Sequence, residues 1–500
     1  MIFNIDFSKI LQLFTYQEGD PLLFSTSFFI FFFFTLLLFY RIFAYKKNLR
    51  IFTLIIFSLF FYYKAVGGYF LILIIMTIVN YYSGQILGSL KEGISKRRFL
   101  FVLTIVANLG VLGYFKYTNF FIQIINNIGS GNIDALDIFL PIGISFYTFK
   151  GLSYIIDIYI GTFQPVKSFR DFSLYMFFFA DLLIGPIDRA SKLLPQIQRE
   201  INVPRENIGR GTYLIMSGLF KKIVIADFIG LNFVDRVFGD PTRFTGVENL
   251  LASYAYTLQI YCDFSGYTDM AIGVALLLGF NIMDNFNAPF KATSIGDFWR
   301  RWHISLSSWL LDYLFAPLQM KLRNLRMYGN AIALFITFFA IGFWHGSNWT
   351  FILFGSLHGL YMVVSIFLKK PKTQLFKKLK LSDTKLLKFS QGVITFHLVV
   401  FAFIFFRAFS IESGWDVVSQ IFAFFQAGVF MQFVNAYPMI IILMVIGYVL
   451  HFLPEAWEKW TENFVVKMPV VVQALLLTAI ILLVVQFKFA GLQPNIYFQF

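Results

Sequence analysis

Residues Gly296–Leu318 read GDFWRRWHISLSSWLLDYLFAPL, and after a short basic link Ile341–Gly359 read IGFWHGSNWTFILFGSLHG. The two passages hold three of the chain's five histidines, His303, His345 and His358. Asp297, Arg300, Arg301, Asp312, Trp344, Ser347 and Asn348 stand around them. The rest of the chain is largely apolar: 58% of its 500 residues are hydrophobic, 14% are charged and 68 are phenylalanine. A soluble domain cannot hide that much apolar surface, so the composition reads as an all-α polytopic membrane protein. Polar groups inside a membrane are costly and usually serve a function. The two passages are therefore read as its reaction centre.

The net charge of +14 is the next constraint. The basic residues cluster in short links between apolar runs, at Lys46-Lys47, Lys96-Arg97-Arg98, Lys321–Arg326 and Lys369–Lys388. That pattern sets topology rather than binding nucleic acid. The single cysteine, Cys262, excludes an intramolecular disulfide and a cysteine zinc cluster. The histidine spacing matches no common zinc motif, so no metal is expected. The chain also lacks a GxSxG elbow, a phosphate loop and a dinucleotide glycine signature.

Spans of roughly 20 apolar residues can be marked along the chain. Leu22–Phe43, Ile51–Ala65, Tyr69–Leu87 and Phe99–Tyr114 come first, with basic clusters at every second turn. By the positive-inside rule both termini are then extracytoplasmic. Residues 1–20 read as an interfacial helix before the first span. Ile138–Ile160 carries Pro141, Gly143, Lys150 and Asp157, and is expected to be broken or to face protein. Leu250–Phe280 is long enough to span but contains Gln259, Asp263, Ser265, Thr268 and Asp269, so that face must look inward. Arg189–Arg210 reads as a polar link and Lys369–Lys388 as a cytoplasmic loop. With Gly392–Phe406, Pro438–Phe452 and Val470–Phe487 the count is about 11–13 transmembrane or re-entrant helices. No repeat of fixed period is found. Residues 1–500 read as one membrane domain, with its core at 138–400 and a tail at 488–500.

Tyr328–Phe343, counted from the inner surface, rises about 24 Å at 1.5 Å per residue. His345 then lies in the outer half of the bilayer, beside a break at Gly346-Ser347-Asn348. A neutral imidazole there can take the proton of a hydroxyl that attacks an acyl group. His303 and His358 are either further members of the centre or core histidines satisfied by neighbours. His397 and His451 stand alone and read as structural. Asp263 and Asp269 form a proton or ion path, or tie helices together by hydrogen bonds.

At these residues the chain resembles the membrane-bound O-acyltransferase (MBOAT) family, in the bacterial branch that modifies cell-envelope polymers. The matching passages include LPIGISFYTFKGLSYIIDIY, FADLLIGPIDR, GLFKKIVIAD, YTLQIYCDFSGYTDMAIG, GFNIMDNFNAPF and the terminal IYFQF, besides the two quoted first. The type is more that of alginate O-acetylation than of teichoic-acid D-alanylation. The resemblance implies a ring of helices around a thin central site, with His345 as the key histidine and His303 supporting it. Asp263, Asp297, Trp344, Ser347, Asn348 and His358 are expected to line the substrate channel. It implies a cytoplasmic thioester donor, acetyl-CoA or an acyl carrier protein, with no bound cofactor. It also implies an extracytoplasmic SGNH-type acyltransferase partner, a polysaccharide acceptor and a place in the bacterial inner membrane, in contact with membrane lipid.

The chain departs from the family pattern at Leu311, at Pro317–Met320 and at Asp181, where glutamine is usual. In the aromatic tail, Tyr497 is a candidate acyl relay with His345 as its base; the alternative is a plug or docking tail. Three rival functions stand beside this one: D-alanyl or other acyl transfer to teichoic acid or peptidoglycan, a transporter or flippase for a lipid-linked precursor, and a structural scaffold for an export complex.

Overall fold

The computed structural model describes residues 12–19, 21–129, 131–200, 202–379 and 384–487. The interfacial helix expected over 1–20 lies mostly outside the described residues. Tyr497 and the rest of the tail 488–500 lie wholly outside them. The described residues form helices and no strand, apart from one isolated antiparallel bridge between Phe286 and Trp302.

The residues pack as two compact units. The first comprises 1–215, 267–283 and 465–475; the second comprises 216–266, 284–464 and 476–500. In the first unit, α1 (Ser27–Ile42), α2 (Lys47–Val66), α3 (Phe70–Ser89) and α4 (Ser95–Ile128) follow one another. The turn expected at Gly67-Gly68 is there, and Gly67 takes a positive φ of 58°, which a residue without Cβ reaches at little steric cost. Ile138–Ile160 is broken as expected: α5 (Ile144–Tyr159) starts only after Gly143 in a left-handed conformation. Its polar residues Ser145, Thr148, Lys150 and Ser153 are all buried in protein. Next come α6 (Phe169–Phe177), α7 (Ala190–Gln198) and α8 (Arg205–Leu219). The polar link read over Arg189–Arg210 is therefore largely helical. Its apolar residues Leu193, Leu194 and Ile197 are buried while Ser191 and Lys192 are exposed. Helical periodicity hides in a segment with so many charges.

Helix α9 (Gly246–Leu277) runs 32 residues. The polar face expected to look inward does so, with Gln259, Asp263, Ser265 and Thr268 buried, and nearly all of the helix's circumference is buried with it. In the second unit Asp263 pairs with Lys222, Oδ1 to Nζ at 2.5 Å, and Lys222 also reaches Asp227 at 2.7 Å. Short helices α10 (Ile295–Arg301) and α11 (Ile304–Leu310) precede α12 (Arg326–His345), α13 (Trp349–Lys378) and α14 (Lys385–Arg407). The lysine-rich stretch read as a loop continues α13 through Lys378, because lysine is a good helix former and its ammonium can stay in water. Then come α15 (Ile411–Ala423), α16 (Val429–Ala436), α17 (Pro438–Phe452) and α18 (Val470–Phe487).

Among the described residues, six helical stretches are long and apolar enough to cross a membrane, and a seventh is added if α16 and α17, bent by 93°, form one span. The remaining described helices are shorter or more polar. The protein is a multi-pass, all-α membrane protein.

Candidate active site

Helix α12 ends on His345, and Gly346 follows in extended conformation. The next helix starts at once, because the Asn348 side chain caps α13 by accepting the Thr350 N–H at 3.1 Å. The two helices touch backbone to backbone: a Cβ on Gly355 would fall 2.7 Å from the Gly342 Cα. Only small residues permit this approach. The close packing holds His345 4% exposed. Its ring meets Phe406 of α14 at 5.0 Å, Phe354 of α13 at 5.8 Å and its neighbour Trp344 at 5.0 Å.

His303 is fully buried. It joins α10 to α11 with a φ of 45°. A left-handed non-glycine residue costs of order 1–2 kcal/mol, and such strain collects at functional sites. Local bonds hold the conformation. The Ile304 N–H donates to the Asn285 carbonyl at 2.9 Å. The Asn285 Oδ1 lies 3.3 Å from His303 Nδ1 and accepts the Ser305 hydroxyl at 2.6 Å and its N–H at 3.2 Å. With Nδ1 donating to Asn285, the lone pair of a neutral imidazole sits on Nε2. The Phe264 ring stands edge-on to His303 at 4.7 Å, and Trp344 lies at 6.0 Å. Trp344 therefore touches both histidines, and His303, Trp344 and His345 form one buried cluster within the second unit.

His358 is also fully buried. Its Nδ1 accepts the Trp299 indole N–H at 3.2 Å, and the Phe354 ring, 4.7 Å away, separates it from His345. Asp297 has a local role: its N–H is capped by Ser294, and its carboxylate meets Arg301 at 3.1 Å and Arg300 at 3.4 Å. Asp263 faces Lys222, while the next residue, Phe264, carries the contact to His303. Ser347 is exposed and Asn348 half-buried at the break after α12. His397 bonds the Tyr254 hydroxyl, and His451 accepts the Phe290 N–H. Among the described residues, no three His, Cys, Asp or Glu side chains are grouped so as to hold a metal.

Sequence reading missed Asn285, Trp299 and Phe406. Asn285 sits in GFNIMDNFNAPF, a passage with no histidine to draw attention, and its partner lies 18 positions on. Trp299 was visible within FWRRWH, but its hydrogen bond to His358 spans 59 positions.

Two buried imidazoles packed against one indole, one with its tautomer set by an amide, are groups able to exchange a proton with a hydroxyl or thiol. Comparison with known proteins points the same way. The model of MBOAT, the membrane-bound O-acyltransferase family, matches residues 166–415. The chain is 37% identical to the probable alginate O-acetylase AlgI of Pseudomonas aeruginosa over 70% of its own length and 65% of that protein's. It is 35% identical to the peptidoglycan O-acetyltransferase of Helicobacter pylori, over 70% of its own length and 69% of that protein's. It is 32% identical to the teichoic acid D-alanyltransferase of Bacillus subtilis, over 52% and 67%. The chain belongs to the membrane-bound O-acyltransferase family, and acyl transfer is its reaction class.

Proposed function

We infer that the protein passes an acyl group, most simply acetyl, from a cytoplasmic thioester across the bacterial inner membrane to an extracytoplasmic polysaccharide. One observation supports this above others: His345 and His303 are both buried against Trp344, in a chain whose relatives include a probable alginate O-acetylase and a peptidoglycan O-acetyltransferase. In this reading His345 takes the proton of the attacking hydroxyl. The oxygen bonds to the thioester carbonyl carbon, the C–S bond breaks, and the proton returns to the leaving thiolate. Thioester and alcohol become ester and thiol, with no redox change.

His303 serves the donor side. Tyr497, outside the described residues, carries the acyl group as a phenyl ester between donor and acceptor, with His345 as its base. An SGNH-type partner completes the transfer to the polymer. The donor is acetyl-CoA or an acyl carrier protein, drawn by the basic residues of 189–210 and 369–388 on the cytoplasmic side. Both termini are then extracytoplasmic.

The test is ester analysis of purified envelope polysaccharide from cells carrying the wild-type chain, the His345→Ala chain or none. The released acid identifies the acyl group, and acetate is expected. Equal ester content in all three strains, with equal membrane abundance of the two chains, sinks the reading.

A further inference from the structure

A groove of about 820 Å³ lies in the second unit, lined by α9, α14, α17 and residues 290–293. None of His303, His345 and His358 lines it. Helix α14 gives it Phe389, Val393 and Phe396, and α17 gives it Ile441, Val445 and Val449. Steps of three and four residues put each set on one helical face. The polar groups in the middle of the wall satisfy one another. The Tyr254 hydroxyl bonds His397 Nε2 at 2.9 Å, His397 Nδ1 bonds the Val393 carbonyl at 2.8 Å, and the Tyr448 hydroxyl donates to the Tyr254 carbonyl at 2.8 Å. That part of the groove offers hydrocarbon surface to its occupant.

One end differs. Lys291 and Lys388 both line the groove. Lys388 lies in the first turn of α14, and a Cβ on Gly392, one turn further, would stand 3.9 Å from the Ala292 carbonyl. Residues 291–293 therefore lie beside the start of α14. Lys291 donates one of its three protons to the Leu453 carbonyl, just past the end of α17, at 2.6 Å. Glu455 also interacts with Lys291, but Lys459 holds its carboxylate at 2.6 Å. Two lysines thus line the groove where residues 291–293 meet the start of α14, between membrane helices.

We propose that this groove is a binding site for one anionic membrane phospholipid. Its hydrocarbon chains lie along the faces of α14 and α17, and its phosphate rests between Lys291 and Lys388. The chemistry on both sides matches. Apolar walls take acyl chains without unpaired polar groups, and each lysine near an anionic headgroup favours it over a neutral one. Basic pockets between membrane helices bind anionic headgroups in this way.

The test uses the full-length protein in mild detergent, exposed to phosphatidylglycerol or to phosphatidylcholine. Lipid retained per protein after washing is counted by mass spectrometry. The wild type is expected to retain phosphatidylglycerol preferentially. In the Lys291→Gln/Lys388→Gln double variant that preference should fall roughly tenfold to thirtyfold. Gly392→Leu, which projects a side chain into the groove, should lower retention of both lipids; Val393→Trp repeats the test should Gly392→Leu fail to fold. Equal retention of the two lipids by the wild type overturns the proposal. So does unchanged phosphatidylglycerol retention in the lysine and groove-filling variants, which would mean that something other than lipid covers this face.

Discussion

The Asn285 Oδ1 gathers three donors, the His303 imidazole at 3.3 Å and both the hydroxyl and N–H of Ser305. Asn285 thereby sets which ring nitrogen of His303 carries the proton, and it braces the strained backbone at that residue. Asn285→Ala should lower acyl transfer roughly tenfold to a hundredfold, since a small misplacement of a catalytic group costs that much. Asn285→Asp keeps the acceptor and should retain more activity than Asn285→Ala. The measurement is initial rate against donor and acceptor concentration, beside the melting temperature of each variant. If activity falls only in step with stability, Asn285 is a scaffold residue and does not position His303.

His345 is held by rings on α13 and α14 with little freedom to move. Neither His345→Ala nor His345→Gln is expected to disturb insertion, because the position ends a helix and the clamp around it is apolar. Both should lose the contribution of a general base, about a hundredfold to ten-thousandfold. Residual activity of His345→Gln above that of His345→Ala would mean that hydrogen bonding, not proton transfer, is the main service of this side chain.

The contact between Gly342 and Gly355 is a packing constraint that positions the site. Gly355→Leu forces a side chain into the backbone of α12, and overpacking of this kind costs about 1–3 kcal/mol or more. Thermal unfolding in detergent should shift down by several degrees, with activity lost together with stability. Gly68→Ala is the control, since a Cβ there meets nothing within 4 Å. A Gly355→Leu protein as stable as the control would disprove the tight packing.

Much of this could be read from residue order, for reasons that differ by element. The helices Pro438–Phe452 and Val470–Phe487 match the sequence reading to the residue, because each is an apolar run with few polar and no Asp, Glu, Lys or Arg residues. His345 stood out because a histidine flanked by tryptophan and glycine at the end of an apolar run has few bland explanations. The lysine continuation of α13 was misread as loop, because charge in a membrane protein marks a surface and says nothing about backbone conformation. The links from Asn285 to His303 and from His345 to Phe406 were invisible. They join positions far apart in sequence through side chains that have no pattern of their own.

A buried carboxylate in the first unit has a charged partner. Asp181 is fully buried, and both its oxygens lie 2.8 Å from the Nζ of Lys150, itself fully buried in α5. The Tyr175 ring lies 4.7 Å from the same ammonium, and its hydroxyl bonds the Lys150 and Asp188 carbonyls. Two desolvated charges hold each other, and removing either leaves the other exposed to a medium that cannot solvate it. Lys150→Met alone, or Asp181→Leu alone, should destabilise the protein by about 3–5 kcal/mol. The double variant Lys150→Met/Asp181→Leu should recover most of that loss, because apolar groups of similar volume in a buried site are often as stable as the ion pair they replace. A double-mutant cycle on unfolding in detergent measures the coupling. Additive losses, with no recovery in the double variant, would mean that Lys150 and Asp181 are held by other partners and that their pairing does not stabilise the first unit.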